Sequence, residues 1–234
     1  MRCLILWSRS RPPAALVIIV SLCLVPQLYA QASPSDSGVL HFLFAVGAQL
    51  AKPGSPKPVP VQTHTVLNSG DRIRFFLEPK SDVYFYLFHL GPQGDLSLLF
   101  PPDLKKPQRL PGPHFYVPEE PLWFELDATR GTEKFFFLAS KSQLRQLENL
   151  YARHITFKEQ PDIQSSTQAI LNEISSLSKQ RRPLTAPAER PVRIAGKQRG
   201  AQETDAAAPS DITSFAKEIV AQGFFSKTFT IDHR

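Results

Sequence analysis

Apolar residues recur at every second position through much of residues 39–139, and that period predicts a chain built chiefly from β-strands. Val39 to Val46 (VLHFLFAV) opens the series. Arg72 to Glu78 places Ile73, Phe75 and Leu77 on one side and Arg72, Arg74 and Glu78 on the other, which reads as a half-buried strand. Val83 to Leu90 (VYFYLFHL) is apolar or aromatic nearly throughout, as expected of a central strand covered on both faces. Gly91-Pro92-Gln93-Gly94 then reverses the chain, because proline presets φ for a turn and glycine tolerates the left-handed position. Leu96, Leu98 and Phe100 alternate in the return strand.

Residues 101–121 hold seven prolines around the short apolar run Phe115 to Val117. Proline gives a sheet no donor, so this stretch belongs to a loop or an edge. Leu122, Phe124 and Leu126 alternate with Trp123, Glu125 and Asp127, and Arg130-Gly131 leads into Glu133 to Ala139 (EKFFFLA). Helical spacing follows: Ser140-x-x-Gln143 and Ser165-x-x-Gln168 read as capping boxes before Leu144, Leu147 and Tyr151, and before Ile170, Ile174 and Leu177. Residues 180–209 are rich in Ala, Pro, Arg, Gln and Lys, too poor in large apolar groups to offset ordering entropy, and read as a disordered basic linker. Over 210–234, Ser210 or Asp211 is expected to cap a helix carrying Ile212, Phe215, Ala216, Ile219 and Val220. Gly223 would end it, and Phe225, Lys227, Phe229 and Ile231 would form a last strand returning to the sheet. The expected fold is mainly β: an antiparallel sandwich-like domain over 33–179 with peripheral α-helices.

Four ordered blocks carry a family resemblance. They are Ser69-Gly70-Asp71-Arg72-Ile73-Arg74-Phe75, Asp82-Val83-Tyr84-Phe85-Tyr86-Leu87-Phe88, Gly94-Asp95-Leu96-Ser97-Leu98-Leu99-Phe100-Pro101, and Gly131-Thr132-Glu133 leading into Lys134 to Ala139. Together they resemble the bacterial domain of unknown function 4384, over about residues 66–140. Pro102 departs from the pattern, which has a polar residue, often Asn, after the "LFP" block. The resemblance implies a β-sandwich-like accessory domain of exported or envelope-linked bacterial proteins, found alone or beside protease-like or kinase-like modules. It implies no catalytic residues.

The first 32 residues change the setting. Arg2, Arg9 and Arg11 precede the apolar run Ala14 to Val25, Pro26 ends it, and Ala30-Gln31-Ala32 is a small-x-small cleavage site. These are the three parts of a secretory signal peptide, and the run is short of the roughly 20 apolar residues that a membrane-spanning helix needs. A lipoprotein signal would want a small residue before Cys23, and Leu22 stands there. Cleavage before Ser33 removes three arginines and no acid. It takes 27 basic against 21 acidic residues to 24 against 21, a net of +3. That balance gives no argument for a nucleic-acid partner. Both cysteines, Cys3 and Cys23, leave with the signal, so the mature chain must rely on its apolar core.

Catalytic patterns are sparse. His41, His64, His89, His114, His154 and His233 are far apart in sequence, with no H-x-H or H-x-x-x-H pair, and no metal or other cofactor is expected. His41 and His89 lie in apolar strands and read as hydrogen-bonded sheet histidines. No G-x-S-x-G elbow and no G-x-x-x-x-G-K loop occurs, and the pair Glu119-Glu120 would point to opposite faces if extended. Three features suit binding instead. Trp123 with nearby Tyr116 is an aromatic candidate, the proline-rich loop carries Lys105, Lys106 and Arg109, and the linker is basic enough to meet an anionic surface. The expectation is an exported, periplasmic or extracellular, non-enzymatic binding or assembly module with an envelope protein partner. The alternatives are an envelope polysaccharide binder using Trp123, and a hydrolase whose site the spacing does not reveal. Export makes the first prediction: mass spectrometry of the chain from its native host should find a mature N-terminus at Ser33, and an intact Met1 in the cytosol would overturn it.

Overall fold

The alternating Phe, Leu, Ile and Val residues pair into two stacked sheets. The computed structural model describes residues 38–51, 57–105, 113–156, 163–181, 188–191 and 211–234. The strands are β1 (Val39–Gln49), β2 (Val59–Pro60), β3 (Thr65–Leu67), β4 (Arg72–Pro79), β5 (Tyr84–Leu90), β6 (Leu96–Phe100), β7 (Phe115–Val117), β8 (Phe124–Glu125), β9 (Gly131–Ser140), β10 (Ala188–Pro191), β11 (Lys217–Gln222) and β12 (Phe224–His233). The helices are α1 (Arg145–Thr156) and α2 (Ile163–Gln180), with a 3-10 turn at Ile212–Phe215. One sheet runs β10-β11-β1-β4-β7, with β2 on β1 and β8 on β4; the other runs β3-β12-β9-β5-β6. All pairings are antiparallel except β12 with β3. The fold is thus the mainly β, sandwich-like one expected, with helices at its periphery.

Strand alternation sets the layers. Leu40, Phe42, Phe44, Val46, Ile73, Phe75 and Leu77 of the first sheet face Phe85, Leu87, Phe135, Phe137, Phe225, Phe229 and Ile231 of the second. Phe44 stacks on Phe137 with ring centroids 4.3 Å apart, and Phe42 meets Phe85 edge-on at 5.2 Å. The other face of the second sheet presents Tyr86, Phe88, Leu138 and Phe224 to Leu147 of α1 and Ile170, Ile174 and Leu177 of α2. The two helices cover it, so β5 is buried on both sides as its sequence requires. Among the described residues no helix is long and apolar enough to cross a membrane.

Several local expectations give way to tertiary partners. β4 is not half-buried: Arg74 and Phe76 are covered too, under Tyr116, Trp123 and the 3-10 turn. The helix expected after Asp211 is only that turn, capped by Asp211 Oδ1 accepting from the Thr213 N–H at 3.3 Å. Residues 217–222 instead form β11, because the open edge of β1 offers six paired positions and Gly223, at φ 62°, lets the chain pass into β12. The last strand does return, pairing along the whole of β9.

Within 180–209, Gln180 ends α2 and Ala188–Pro191 pair with β11, so neither is linker; the rest of that segment lies outside the described residues, apart from Arg181. Residues 1–32, read as an export signal, also lie outside them. Neither serine stands at the N-cap of its helix. Ser140 is still in β9, and the Leu144 N–H donates to Tyr86 Oη at 3.1 Å ahead of α1. α2 begins at Ile163, two residues before Ser165. Leu122 is 62% exposed, and only Phe124–Glu125 of its stretch pair with β4.

The inter-sheet aromatic layer sets the stability. Phe137→Ala should cost about 3–5 kcal/mol by urea denaturation, while Leu122→Ala should stay within about 0.5 kcal/mol. Equal losses would show that the layer does not hold the sheets together.

Candidate functional site

Two of the residues singled out for binding, Trp123 and Tyr116, come together around Arg74 on folding. Trp123 lies with one face under the Arg74 guanidinium, whose carbon is 4.3 Å from the ring, and packs beside Phe76, Tyr116 and Ile212. Tyr116 is buried and donates its hydroxyl to Asp211 Oδ2 at 2.8 Å. Arg74 Nε donates to the Leu122 carbonyl at 2.8 Å, so this group ties the 116–124 loop to β4 and to the C-terminal segment. Lys105 is exposed, with its N–H donating to Asp103 Oδ1 at 2.9 Å. Lys106 and Arg109 lie outside the described residues.

An apolar mouth opens nearby. Among the described residues β7 ends one sheet and β6 ends the other, and between them lies a cavity of about 630 Å³. Leu99, Phe100, Phe115, Val117, Leu122 and Phe124 make its walls, with Pro102, Pro113 and Pro118 at the rim. Phe100 and Phe115 stack on each other in its lining at 5.0 Å. The β5–β6 register shifts at Leu87/Phe88, so Leu99 has no partner in the ladder, as at a β-bulge, and lines the mouth. The proline-rich segment therefore contributes an edge strand and rim prolines, as its composition suggests.

A second arrangement joins residues that spacing kept apart. Glu133 occupies a core-facing position of β9, in phase with Phe135 and Phe137, and is buried. Its Oε2 meets His89 Nε2 of β5 at 2.6 Å, and its Oε1 meets His233 Nδ1 of β12 at 3.3 Å. A carboxylate only accepts, so both imidazoles donate to it. In its neutral form His233 then has Nε2 as an acceptor, and the Ser69 hydroxyl lies 3.1 Å from that atom. His89 is thus hydrogen-bonded as expected, as is His41, whose Nε2 is 2.7 Å from Glu218 Oε1.

The turn carrying Ser69 is clasped by buried Asp71, whose carboxylate accepts from the N–H groups of Ala51 and Asn68, each at 2.8 Å. Gly70 sits at φ 88° within it. Beyond His89 and Glu133 is a small polar cleft of about 210 Å³ lined by Asp95, Asp127 and Thr129; Ser69 is not among its walls. Among the described residues no three His, Cys, Asp or Glu side chains are placed to hold a metal ion.

The signal for this chain of groups was phase. His89 follows Phe85 and Leu87, Glu133 precedes Phe135, and His233 follows Phe229 and Ile231, all on core-facing rows of neighbouring strands.

Two tyrosines predict the alkaline limit of stability. Burial, and then a hydrogen bond to Glu148, push the Tyr86 pKa above its ordinary 10.0; burial, and then Asp211, do the same for Tyr116. Each is raised in the folded state. Its stabilisation is therefore complete below the unfolded value near 10 and is lost as pH rises toward the folded one. Urea denaturation between about pH 8 and 11 should show stability falling above about 10. Tyr86→Phe and Tyr116→Phe should each flatten that fall, and an unchanged slope in both variants would refute the assignment.

Comparison with known proteins locates part of this architecture. No curated protein matches the chain, and no solved structure does. Residues 66–143 match the model of one family, described as Domain of unknown function (DUF4384), which spans β4 to β9 with the Ser69 turn, Glu133, Trp123 and both walls of the mouth.

Proposed function

We propose that this chain is an exported, non-enzymatic binding module that holds an extended, apolar segment of an envelope protein partner in the mouth between β6 and β7. The observation that carries the reading is the coincidence there of two strands that are edges among the described residues and a cavity of about 630 Å³ with apolar walls. An edge strand presents unpaired ladder groups to an incoming strand, while pockets between alternate side chains select its residues. A cavity of this size accepts one or two large side chains. Burying a Phe or Leu there contributes about 1.5–3 kcal/mol, roughly tenfold to more than hundredfold in affinity. Leu122, exposed at the rim, provides the apolar surface that such a segment would cover.

The glycan reading has less support. A sugar platform needs a free ring face, and Arg74 lies over one face of Trp123 while Tyr116 is buried. Export itself is supported by the pattern of residues 1–32 and by the envelope setting that the family resemblance implies.

A photo-crosslinking residue at position 122 should capture one discrete envelope protein in the native host. The same residue at Ile155, exposed on α1, should not. Leu122→Asp should weaken binding of the captured partner by about tenfold or more with little change in melting. Capture at both positions alike, or retention on cell-wall glycan that Trp123→Ala abolishes, would overturn the protein-partner reading.

A further inference from the structure

The geometry points to Ser69 as a covalent acyl-acceptor site, modified by activated acyl donors of the oxoester or thioester class. Three linked contacts carry the inference. The Ser69 Oγ is 3.1 Å from His233 Nε2, His233 Nδ1 is 3.3 Å from Glu133 Oε1, and Glu133 Oε2 is 2.6 Å from His89 Nε2. This is a nucleophile on a base, and a base on an orienting acid. Ser69 is exposed at the tip of its turn, whereas the His233 side chain is 0% exposed. The base therefore reaches the outside only through the serine hydroxyl. Glu133, held from its other side by His89, fixes the tautomer that leaves Nε2 free to accept.

The reaction balances without another reagent. The Ser69 Oγ attacks the acyl carbon and the O–C bond forms as the hydroxyl proton moves to His233 Nε2. The bond from the acyl carbon to the leaving group then breaks, and the departing alkoxide or thiolate takes that proton from Nε2. Ser69 is left as an ester and His233 returns to its neutral form.

Two features stop the chemistry there. The backbone N–H groups of the turn are committed elsewhere and not aimed at an oxyanion: the Ser69 N–H goes to the Arg234 carbonyl at 3.2 Å, Gly70 N–H to Leu126 at 2.8 Å, and Asp71 N–H to Asn68 at 3.0 Å. A missing oxyanion donor costs about 10²–10³ in rate, which restricts the site to activated donors. The base is also shielded from the bulk water that it would have to activate to remove the ester. The arrangement accepts an acyl group and keeps it, which separates it from a hydrolase.

The test uses the intact folded chain and p-nitrophenyl acetate, with acetylation quantified at each serine by peptide mass spectrometry. Ser214 serves as the internal reference, since it is exposed and its hydroxyl donates to the Asp211 carbonyl. General-base assistance is typically about 10²–10⁴-fold, so Ser69 should react at least about 100-fold faster than Ser214. The advantage should vanish in urea and in His233→Gln, while Ser69→Ala should remove the fast site and still melt as a folded chain. Equal rates at Ser69 and Ser214 in the native chain would overturn the assignment whether or not the histidine variant folds. An undiminished rate in folded His233→Gln would also overturn it.

Discussion

The aromatic contact between β1 and its opposite sheet is the constraint on which the remaining structure depends. Phe42 and Phe44 are two residues apart, so both point into the sandwich and meet Phe85, Phe137 and Phe225. No cysteine lies among the described residues, so no disulfide joins the layers there, and burial of the phenylalanines, each contributing about 1.5–3 kcal/mol, is the main force between them. The strand register follows, because slipping β1 by one residue would turn Phe42 and Phe44 out of the core and His41 and Leu43 into it.

Both candidate sites arise where this packing ends. At one side of the sandwich, β7 is only three residues long and flanked by prolines, so β4 acquires a short edge there and the layer stays open. At the Gly131 end of β9, the core-facing row continues past Phe135 to Glu133. A buried carboxylate in such a row is costly unless its oxygens are paired, and both are. The same alternation that builds the core thus places a charge against two imidazoles.

The sandwich was legible in the sequence because strand period, turn chemistry and proline placement are local signals. Val83 to Leu90 and the Gly91–Gly94 turn needed no tertiary information. Residues 211–222 show the limit: Ile212, Phe215, Ala216, Ile219 and Val220 fit a helical face, yet the unpaired edge of β1 draws 217–222 into a strand. Arg74 reads as a solvent-facing residue until Trp123, 49 positions later, folds over it. The polar chain escaped a search by spacing because His89, Glu133 and His233 are brought together by the register of three strands. Their common core-facing phase was the available clue. The mouth was half legible: prolines announced an edge, but only the stacking of the two sheets shows that β6 ends beside it.

The matched segment, residues 66–143, is not a closed unit in this chain. It supplies β4, β7 and β8 to one sheet and β5, β6 and β9 to the other, yet the partner of β4 across its long ladder is β1, and that of β9 is β12. Both partners come from outside the segment. The division has a chemical consequence, because Ser69, His89 and Glu133 lie inside the matched stretch while His233 is the next-to-last residue of the chain. The Arg234 carbonyl, which accepts from Ser69, and the Arg234 N–H, which donates to the Leu67 carbonyl at 2.9 Å, seat that strand end against the turn. Docking of the C-terminal strand therefore both completes the sandwich and aligns the imidazole between acid and hydroxyl.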